Sequence, residues 1–132
     1  MSVASIHTAR PSRRIGAWSL QGVLAAAFLA AGVAKLTSVS FMVDLFAQIG
    51  IGQWFRFVTG AVEVAGAVAL LVPGLASAAG LLLGATMIGA TTAHLFVLHT
   101  SPVPAIVLGL LNATVVYLRR DELADSIERV KG

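Results

Sequence analysis

Long apolar segments that contain almost no charge are the feature of this sequence that most constrains its fold. Between residues 15 and 118 the charged side chains are Lys35, Asp44, Arg56 and Glu63. A transmembrane helix needs about 20 consecutive, mostly apolar residues. Glycine, proline and charged residues divide this region into four segments near that length, at 15–38, 55–72, 75–98 and 104–118. The sequence therefore predicts an all-α integral membrane protein, in which residues 15–118 form a four-helix bundle.

The composition and the placement of charge argue against several other classes of protein. Hydrophobic residues make up 58% of the chain and charged residues 11%, whereas soluble domains carry roughly 25% charged residues. Seven of the nine Lys and Arg residues precede residue 15 or follow residue 118, so the sequence predicts no basic face for nucleic acid. The chain has no cysteine, which excludes disulfides and cysteine-based metal centres. We expect no metal site and no intrinsic cofactor.

The basic residues at the two ends predict the topology. The N-terminal tail, 1–14, and the polar C-terminal tail, 119–132, both carry arginines next to the apolar region, whereas the connections at 73–77 and 99–103 contain no Lys or Arg. Cytoplasmic loops are enriched in Lys and Arg, so we expect both termini to be cytoplasmic. A cleavable signal peptide is the alternative for the first segment, but its apolar run exceeds the usual length of roughly 7–15 residues.

A shorter amphipathic stretch separates the first two predicted spans. Its apolar residues recur at helical spacing and share one face: Phe41, Met42, Leu45, Phe46 and Ile49. This pattern is typical of a helix that lies in the membrane interface. Trp54 follows it as an expected aromatic anchor. We therefore predict a short interfacial helix on the outer side of the bundle.

Small residues at four-residue spacing occur in all four predicted spans. Helices in lipid associate through close packing, which small side chains permit. The sets are Gly22, Ala26, Ala30 and Ala34; Ala61, Ala65 and Ala69; Ala76, Gly80 and Gly84; and Ala105, Gly109 and Ala113. We expect these faces to form the helix contacts, which would turn the Glu63 face of the second span away from its packing face.

Besides Arg56 at the start of the second span, three ionisable side chains fall at membrane depth in the predicted spans. With the N-terminus inside, Lys35, Glu63 and His94 all lie in the outer half of three different helices. An ionisable group at membrane depth is costly unless it is paired or hydrated, so such groups are candidate functional residues. Alternatives are that Lys35 extends to the interface, that Glu63 forms a structural pair with Lys35 or Arg56, and that the histidine is structural.

The same helical faces define a predicted outer-half pocket. Glu63 and His94 are its candidate catalytic residues, as a carboxylate and an imidazole able to exchange protons near neutral pH. The candidate ligand-binding residues share their faces or cover the site, and are Lys35, Thr59, Thr91, Arg56, Phe28, Met87 and Trp54.

Several of these residues occur in segments that resemble a known family. The run from Phe28 to Leu36, the step from Gly60 to Glu63, and the run from Thr92 to Phe96 together resemble the DoxX-like membrane proteins. The resemblance covers roughly residues 15–120. It implies a four-helix bacterial inner-membrane fold associated with redox systems, including a subunit of a thiosulfate:quinone oxidoreductase and a complex that defends against oxidative stress. Because this chain lacks cysteine, direct sulfur chemistry is not expected of it.

Three functions are compatible with these observations. The first is a redox-associated subunit that binds a quinone or another lipid-soluble small molecule and receives electrons from a partner protein. The second is a membrane-embedded acid–base enzyme, such as an isomerase, cyclase or hydrolase, that acts on an apolar substrate. The third is a non-catalytic transporter or scaffold, which would require a homo-oligomer because four short spans leave little room for a solute path.

Overall fold

The computed structural model describes residues 11–131, which are helical almost throughout and contain no strand. Most of the predicted N-terminal tail, 1–14, lies outside the described residues. The helices are α1 (Pro11–Leu36), α2 (Ser40–Ile49), α3 (Gln53–Leu70), α4 (Ala76–Ala93), α5 (Val103–Leu118) and α6 (Arg120–Lys131). A π-helical turn, His94–Leu98, continues α4.

Glycines with positive φ lie in the connections that follow α2 and α3. After α2, Gly50 has a φ of 83° and its N–H donates to the carbonyl of Phe46, an ending that glycine adopts without a Cβ penalty. Gly74, with a φ of 90°, follows Pro73 between α3 and α4. Four of the helices, α1, α3, α4 and α5, therefore coincide within a few residues with the four apolar segments of the sequence.

Each of the four longer helices packs against two of the others. Helix α1 contacts α3 and α5, and α4 also contacts α3 and α5, while α2 crosses near α3 and the π-helical turn. The centre is a cluster of buried apolar side chains that includes Leu24, Phe28, Leu70, Leu83 and Met87. We call the end at which α1 begins and α5 finishes the Arg119 end, and the opposite end the Lys35 end.

Length and hydropathy identify two helices able to cross a membrane, Ser12–Leu36 and Ala76–Leu98. The pair Val103–Leu118 and Arg120–Lys131 adds a third only if the two helices, bent by 65°, are taken as one span. Helix α3 has 18 residues but includes Arg56 and Glu63. The all-helical class is therefore confirmed, and the four-span topology stays a prediction.

The packing faces predicted for α1 and α3 are wrong. Gly22, Ala26 and Ala30 are exposed on α1, as are Ala61 and Ala65 on α3. The two helices instead meet on the faces that carry their polar residues. Small side chains permit close packing but are equally compatible with a surface that faces lipid, so their spacing alone does not identify the contact.

Glycines on the polar faces make the contact between α1 and α3 possible. A Cβ added to Gly32 would lie 2.7 Å from Cγ2 of Val64 and 2.9 Å from the carbonyl oxygen of Gly60. Real Cβ atoms do not approach that closely, so Gly32 is needed for this separation of the two backbones, and a Cβ on Gly60 would be tight at 3.1 Å from the carbonyl oxygen of Gly32. On α4 the predicted face does pack: Ala76 and Gly80 are buried.

Candidate functional site

A buried ion pair joins α1 to α3 near the Lys35 end. Nζ of Lys35 donates to Oε2 of Glu63 across 3.1 Å. Lys35 is 8% exposed and Glu63 is 2% exposed. Within residues 11–131 no other oppositely charged side chains approach within 4.0 Å. The structure thus brings together two of the three ionisable residues that the sequence singled out.

The glycine crossing explains why these two side chains meet. Lys35 lies in the last turn of α1, one helical turn beyond Gly32, and Glu63 follows Gly60 by three residues on α3. A Cβ added to Gly60 would lie 3.0 Å from Cβ of Lys35. Because the backbones are so close, the lysine stem is packed against α3, and its ammonium group reaches the carboxylate.

Arg56 is the third charged member of this cluster. Its Nη1 donates to the backbone carbonyl of Lys35, and its Nε donates to Oε1 of Gln53 across 2.7 Å. Its guanidinium carbon lies 4.3 Å from the ring centroid of Phe57. Arg56 is 4% exposed. The arginine therefore ties the end of α1 to the first turn of α3.

Gln53 extends this network to α2 and was not recognised from the sequence. Its Nε2 donates to the carbonyl of Val43 across 3.0 Å, while its Oε1 accepts from Arg56. The three-residue spacing of Gln53 and Arg56 on one helix was the available signal. We call Lys35, Gln53, Arg56 and Glu63 the polar cluster; it links α1, α2 and α3.

The charges of the polar cluster determine what it can do. Two cations and one carboxylate leave a net positive charge in a low-dielectric region, where each ionised group is stabilised only by its partners. Removal of the carboxylate charge would leave Lys35 and Arg56 uncompensated. The arrangement therefore pairs Glu63 with Lys35 and holds α1 and α3 in position.

His94 lies apart from this network. It is partly buried at the start of the π-helical turn, and its Nδ1 is 2.7 Å from Oγ1 of Thr100. The N–H of Thr100 also donates to the carbonyl of His94 across 3.0 Å. No hydrogen bond within residues 11–131 joins His94 to Lys35 or Glu63. The predicted equal depth of the three residues in the membrane therefore does not bring His94 into hydrogen-bonding contact with the other two.

An open apolar groove of about 690 Å³ runs between α4 and α5. Two of the predicted ligand-binding residues, Met87 and Thr91, form part of its wall, but Lys35, Glu63 and His94 do not. Its other wall residues are Gly80, Leu81, Gly84, Ala85, Ile88, Thr92, Ala105, Ile106, Gly109, Leu110, Ala113 and Val116. The small residues let α4 and α5 pack closely, since a Cβ added to Gly80 would lie 2.9 Å from Cγ2 of Val116, and the groove lies open beside this contact.

The remaining predicted site residues lie in different surroundings. Thr59 donates its hydroxyl to the carbonyl of Phe55 across 2.8 Å, and Phe28 is buried in the apolar core. Trp54 is 60% exposed and packs edge-on against Phe55 with 5.8 Å between ring centroids. Within residues 11–131 no three His, Cys, Asp or Glu side chains are grouped so as to hold a metal ion.

A second polar network, also missed from the sequence, lies at the Arg119 end. Gln21 is 1% exposed; its Nε2 donates to the carbonyl of Leu70 across 2.6 Å, and its Oε1 accepts from Nε of Arg119 across 2.9 Å. The side chain of Glu122 accepts from the N–H groups of Gly74 and Ser77 at the start of α4. These contacts join residues 45 to 98 positions apart, so no local pattern could reveal them.

Comparison with known proteins agrees with this architecture. The chain matches the model of the DoxX-like family over residues 19–117. It is also 38% identical over 88 residues to the uncharacterized protein YdgD of Bacillus subtilis (strain 168), covering 63% of this chain and 76% of that protein. No solved structure matches the chain. With its long apolar helices and a family match that includes α3, α4 and nearly all of α5, the chain is a membrane protein that belongs to the DoxX-like family.

Proposed function

We propose that this protein is a multi-pass bacterial inner-membrane protein that binds the apolar part of a quinone or a similar lipid-soluble molecule in the groove between α4 and α5. In this proposal four helices cross the bilayer, both termini are cytoplasmic, and the Lys35 end is outermost. The protein acts as a redox-associated subunit whose electrons come from a partner protein.

The groove is the observation that carries the proposal. Small-molecule sites are concave and mostly apolar, with a few polar groups that orient the ligand. The α4 wall extends from Gly80 to Thr92, about 18 Å at 1.5 Å per residue. A hydrocarbon chain fits such a surface because neither wall presents a charged side chain.

Polar groups are confined to one end of this groove. Thr91 and Thr92 line it near the Lys35 end, and His94 follows within one turn. The hydroxyls of Thr91 and Thr92 already donate to the carbonyls of Met87 and Ile88 across 2.8 Å and 2.9 Å, so their oxygens are available to accept from the hydroxyl of a quinol, the reduced form of a quinone. A ligand with a polar head at this end and an apolar tail toward Val116 would match the polar end and the apolar walls of the groove.

The polar cluster lies between α1, α2 and α3 and takes no part in the wall of the groove. Lys35, Arg56 and Glu63 do not line it, and Glu63 is almost fully buried. A ring bound in the groove would therefore be oriented by Thr91 and Thr92, while the polar cluster keeps α1, α2 and α3 in register. The acid–base enzyme would need Glu63 to reach a substrate, and this geometry favours it less.

Filling the groove tests the proposal. In the double variant Ala85→Leu/Ala113→Leu both replaced residues line the groove and are exposed, so the larger side chains occupy ligand space without overpacking the core. Ala61→Leu/Ala65→Leu is the matched control, because these alanines are exposed on α3 and do not line the groove. The small molecules that co-purify in native nanodiscs are identified by mass spectrometry.

We expect a quinone or another isoprenoid to co-purify with the wild-type protein and the control, and to be lost from the groove variant. Thr91→Val, which removes the hydroxyl and keeps the shape, should weaken retention of the reduced quinol without abolishing it. Equal retention by the groove variant and the control would contradict the proposal, as would the recovery of bulk phospholipid alone.

A further inference from the structure

The C-terminal helix α6 turns away from α5 and presents an apolar stripe that is exposed beyond its first, half-buried member. The two helices differ in direction by 65°. At about 100° per residue, Leu123, Ile127 and Val130 fall on one face of α6. Ile127 is 48% exposed and Val130 is 88% exposed. A solvated polar tail does not require such a stripe.

Charges on α6 are segregated around this stripe. Arg120 and Lys131 lie along one edge of it by helical position, whereas the exposed carboxylates of Asp121, Asp125 and Glu128 occupy the far side. An amphipathic helix that rests on a membrane has this arrangement: an apolar face bordered by basic residues and an acidic or polar face turned to water.

The adjoining surface of the Arg119 end carries further arginines without acidic partners. Within residues 11–131 neither Arg13 and Arg14 on α1 nor Arg119 and Arg120 after α5 has a carboxylate within 4.0 Å. Arg13 donates to the carbonyl of Leu118 across 3.1 Å, which places both pairs at the same end. Arginine binds phosphate oxygens in bidentate geometry.

Aromatic side chains accompany these arginines. The guanidinium carbon of Arg119 lies 5.2 Å from the ring centroid of Trp18, and that of Arg120 lies 4.4 Å from that of Tyr117. Trp and Tyr are enriched where transmembrane helices pass the headgroup layer. The Arg119 end thus has the composition of a membrane interface, and α6 begins at that level.

We propose that α6 lies in the headgroup layer with its apolar stripe inserted among the lipids, and that the exposed arginines of this end, Arg14 and Arg120, bind the phosphates of anionic phospholipids. Charge complementarity and continuity with the ends of α1 and α5 favour a lipid surface over a protein partner. The proposal rests on the chain being a membrane protein and is independent of any ligand in the groove.

The absence of native cysteine makes a direct test possible. Ile127→Cys on the stripe and Asp125→Cys on the far side are each labelled with an environment-sensitive fluorophore in the full-length protein. The labelled proteins are placed in nanodiscs of phosphatidylcholine, with and without phosphatidylglycerol. Quenching by brominated lipid and by aqueous iodide is then compared.

We expect the label at residue 127 to be quenched several-fold more by brominated lipid than the label at residue 125, with the opposite order for iodide. Phosphatidylglycerol should increase the difference, and Arg120→Gln should reduce that increase. Arg129→Gln is the matched control, because Arg129 lies on the acidic side of α6 and should have little effect.

Three outcomes would overturn the proposal. Equal exposure of both labels to iodide would place α6 in water. A label at residue 127 shielded from both quenchers would show a protein surface or a second copy of the chain on the stripe. If inorganic phosphate alone reproduced the effect of phosphatidylglycerol, the arginines would bind a free anion and not a lipid headgroup.

Discussion

At the scale of single residues, two glycines determine how closely α1 and α3 approach. Gly32 and Gly60 face each other at the crossing, and no side chain larger than hydrogen fits between Gly32 and the α3 backbone. Lys35 and Glu63 lie within one turn of this crossing, so the ion pair depends on it. The polar residues and the packing residues therefore share the same faces of the two helices.

Replacement of Gly32 by alanine should be destabilising. The added methyl would lie 2.7 Å from the Val64 side chain, and overpacking of this kind typically costs about 1–3 kcal/mol. Gly22→Ala is the control, since a Cβ there meets nothing within 4 Å and alanine is the better helix former. The melting temperature in detergent should fall for the first variant only. Equal melting temperatures for Gly32→Ala and Gly22→Ala would contradict the close contact of α1 and α3 at Gly32.

The ion pair should show strong coupling between its partners. Glu63→Leu leaves a buried ammonium group without a counter-charge, and breaking a buried pair costs about 3–5 kcal/mol. The double variant Glu63→Leu/Lys35→Met should recover most of that loss, because a buried pair replaced by apolar residues is often nearly neutral. A double-mutant cycle on the free energy of unfolding measures the coupling. Additive losses would show that the two side chains act independently.

At the scale of elements, α6 contributes to the start of α4. The carboxylate of Glu122 lies 3.3 Å from the N–H of Gly74 and 3.4 Å from that of Ser77. The first N–H groups of a helix lack intrahelical partners, and a negative charge stabilises that end. A helix from the C-terminal tail thus supplies the partner that α4 lacks in its own sequence.

Removal of that charge should loosen the start of α4. In Glu122→Gln we expect faster hydrogen exchange at the amides of Gly74 and Ser77 and a loss of about 0.5–1 kcal/mol, which is within the range for a lost helix cap. Asp121→Asn is the control, because that carboxylate is exposed and makes no such contact. Unchanged exchange in Glu122→Gln would mean that water caps the helix equally well.

At the scale of the whole molecule, the first and last long helices meet at one end. The contact between Arg13 and Leu118 places the start of α1 beside the end of α5, as an even number of crossings requires. The excess of arginine at that end is the pattern of a cytoplasmic surface. The meeting of these two helix ends and the excess of arginine beside them both agree with the proposed orientation, in which the two termini are cytoplasmic.

Reporter fusions test that orientation. We expect green fluorescent protein to fluoresce when fused to either terminus, and alkaline phosphatase to be inactive at both, because both termini are proposed to be cytoplasmic. Phosphatase inserted between Thr100 and Ser101, in the connection between α4 and α5, should be active. Phosphatase activity at both termini would contradict the proposed orientation, and activity at only one terminus would contradict an even number of spans.

The sequence by itself determined the helical class and the helix positions, and it singled out Lys35 and Glu63 as ionisable residues within apolar helices. These conclusions depend on hydropathy, on glycine and proline breaks and on the cost of buried charge, all of which act locally. Only the tertiary structure decided which faces pack, that His94 stands apart, and that Gln21 bonds to Arg119. Small residues suit a lipid surface as well as a helix contact, and steric fit exists only once both helices are in place.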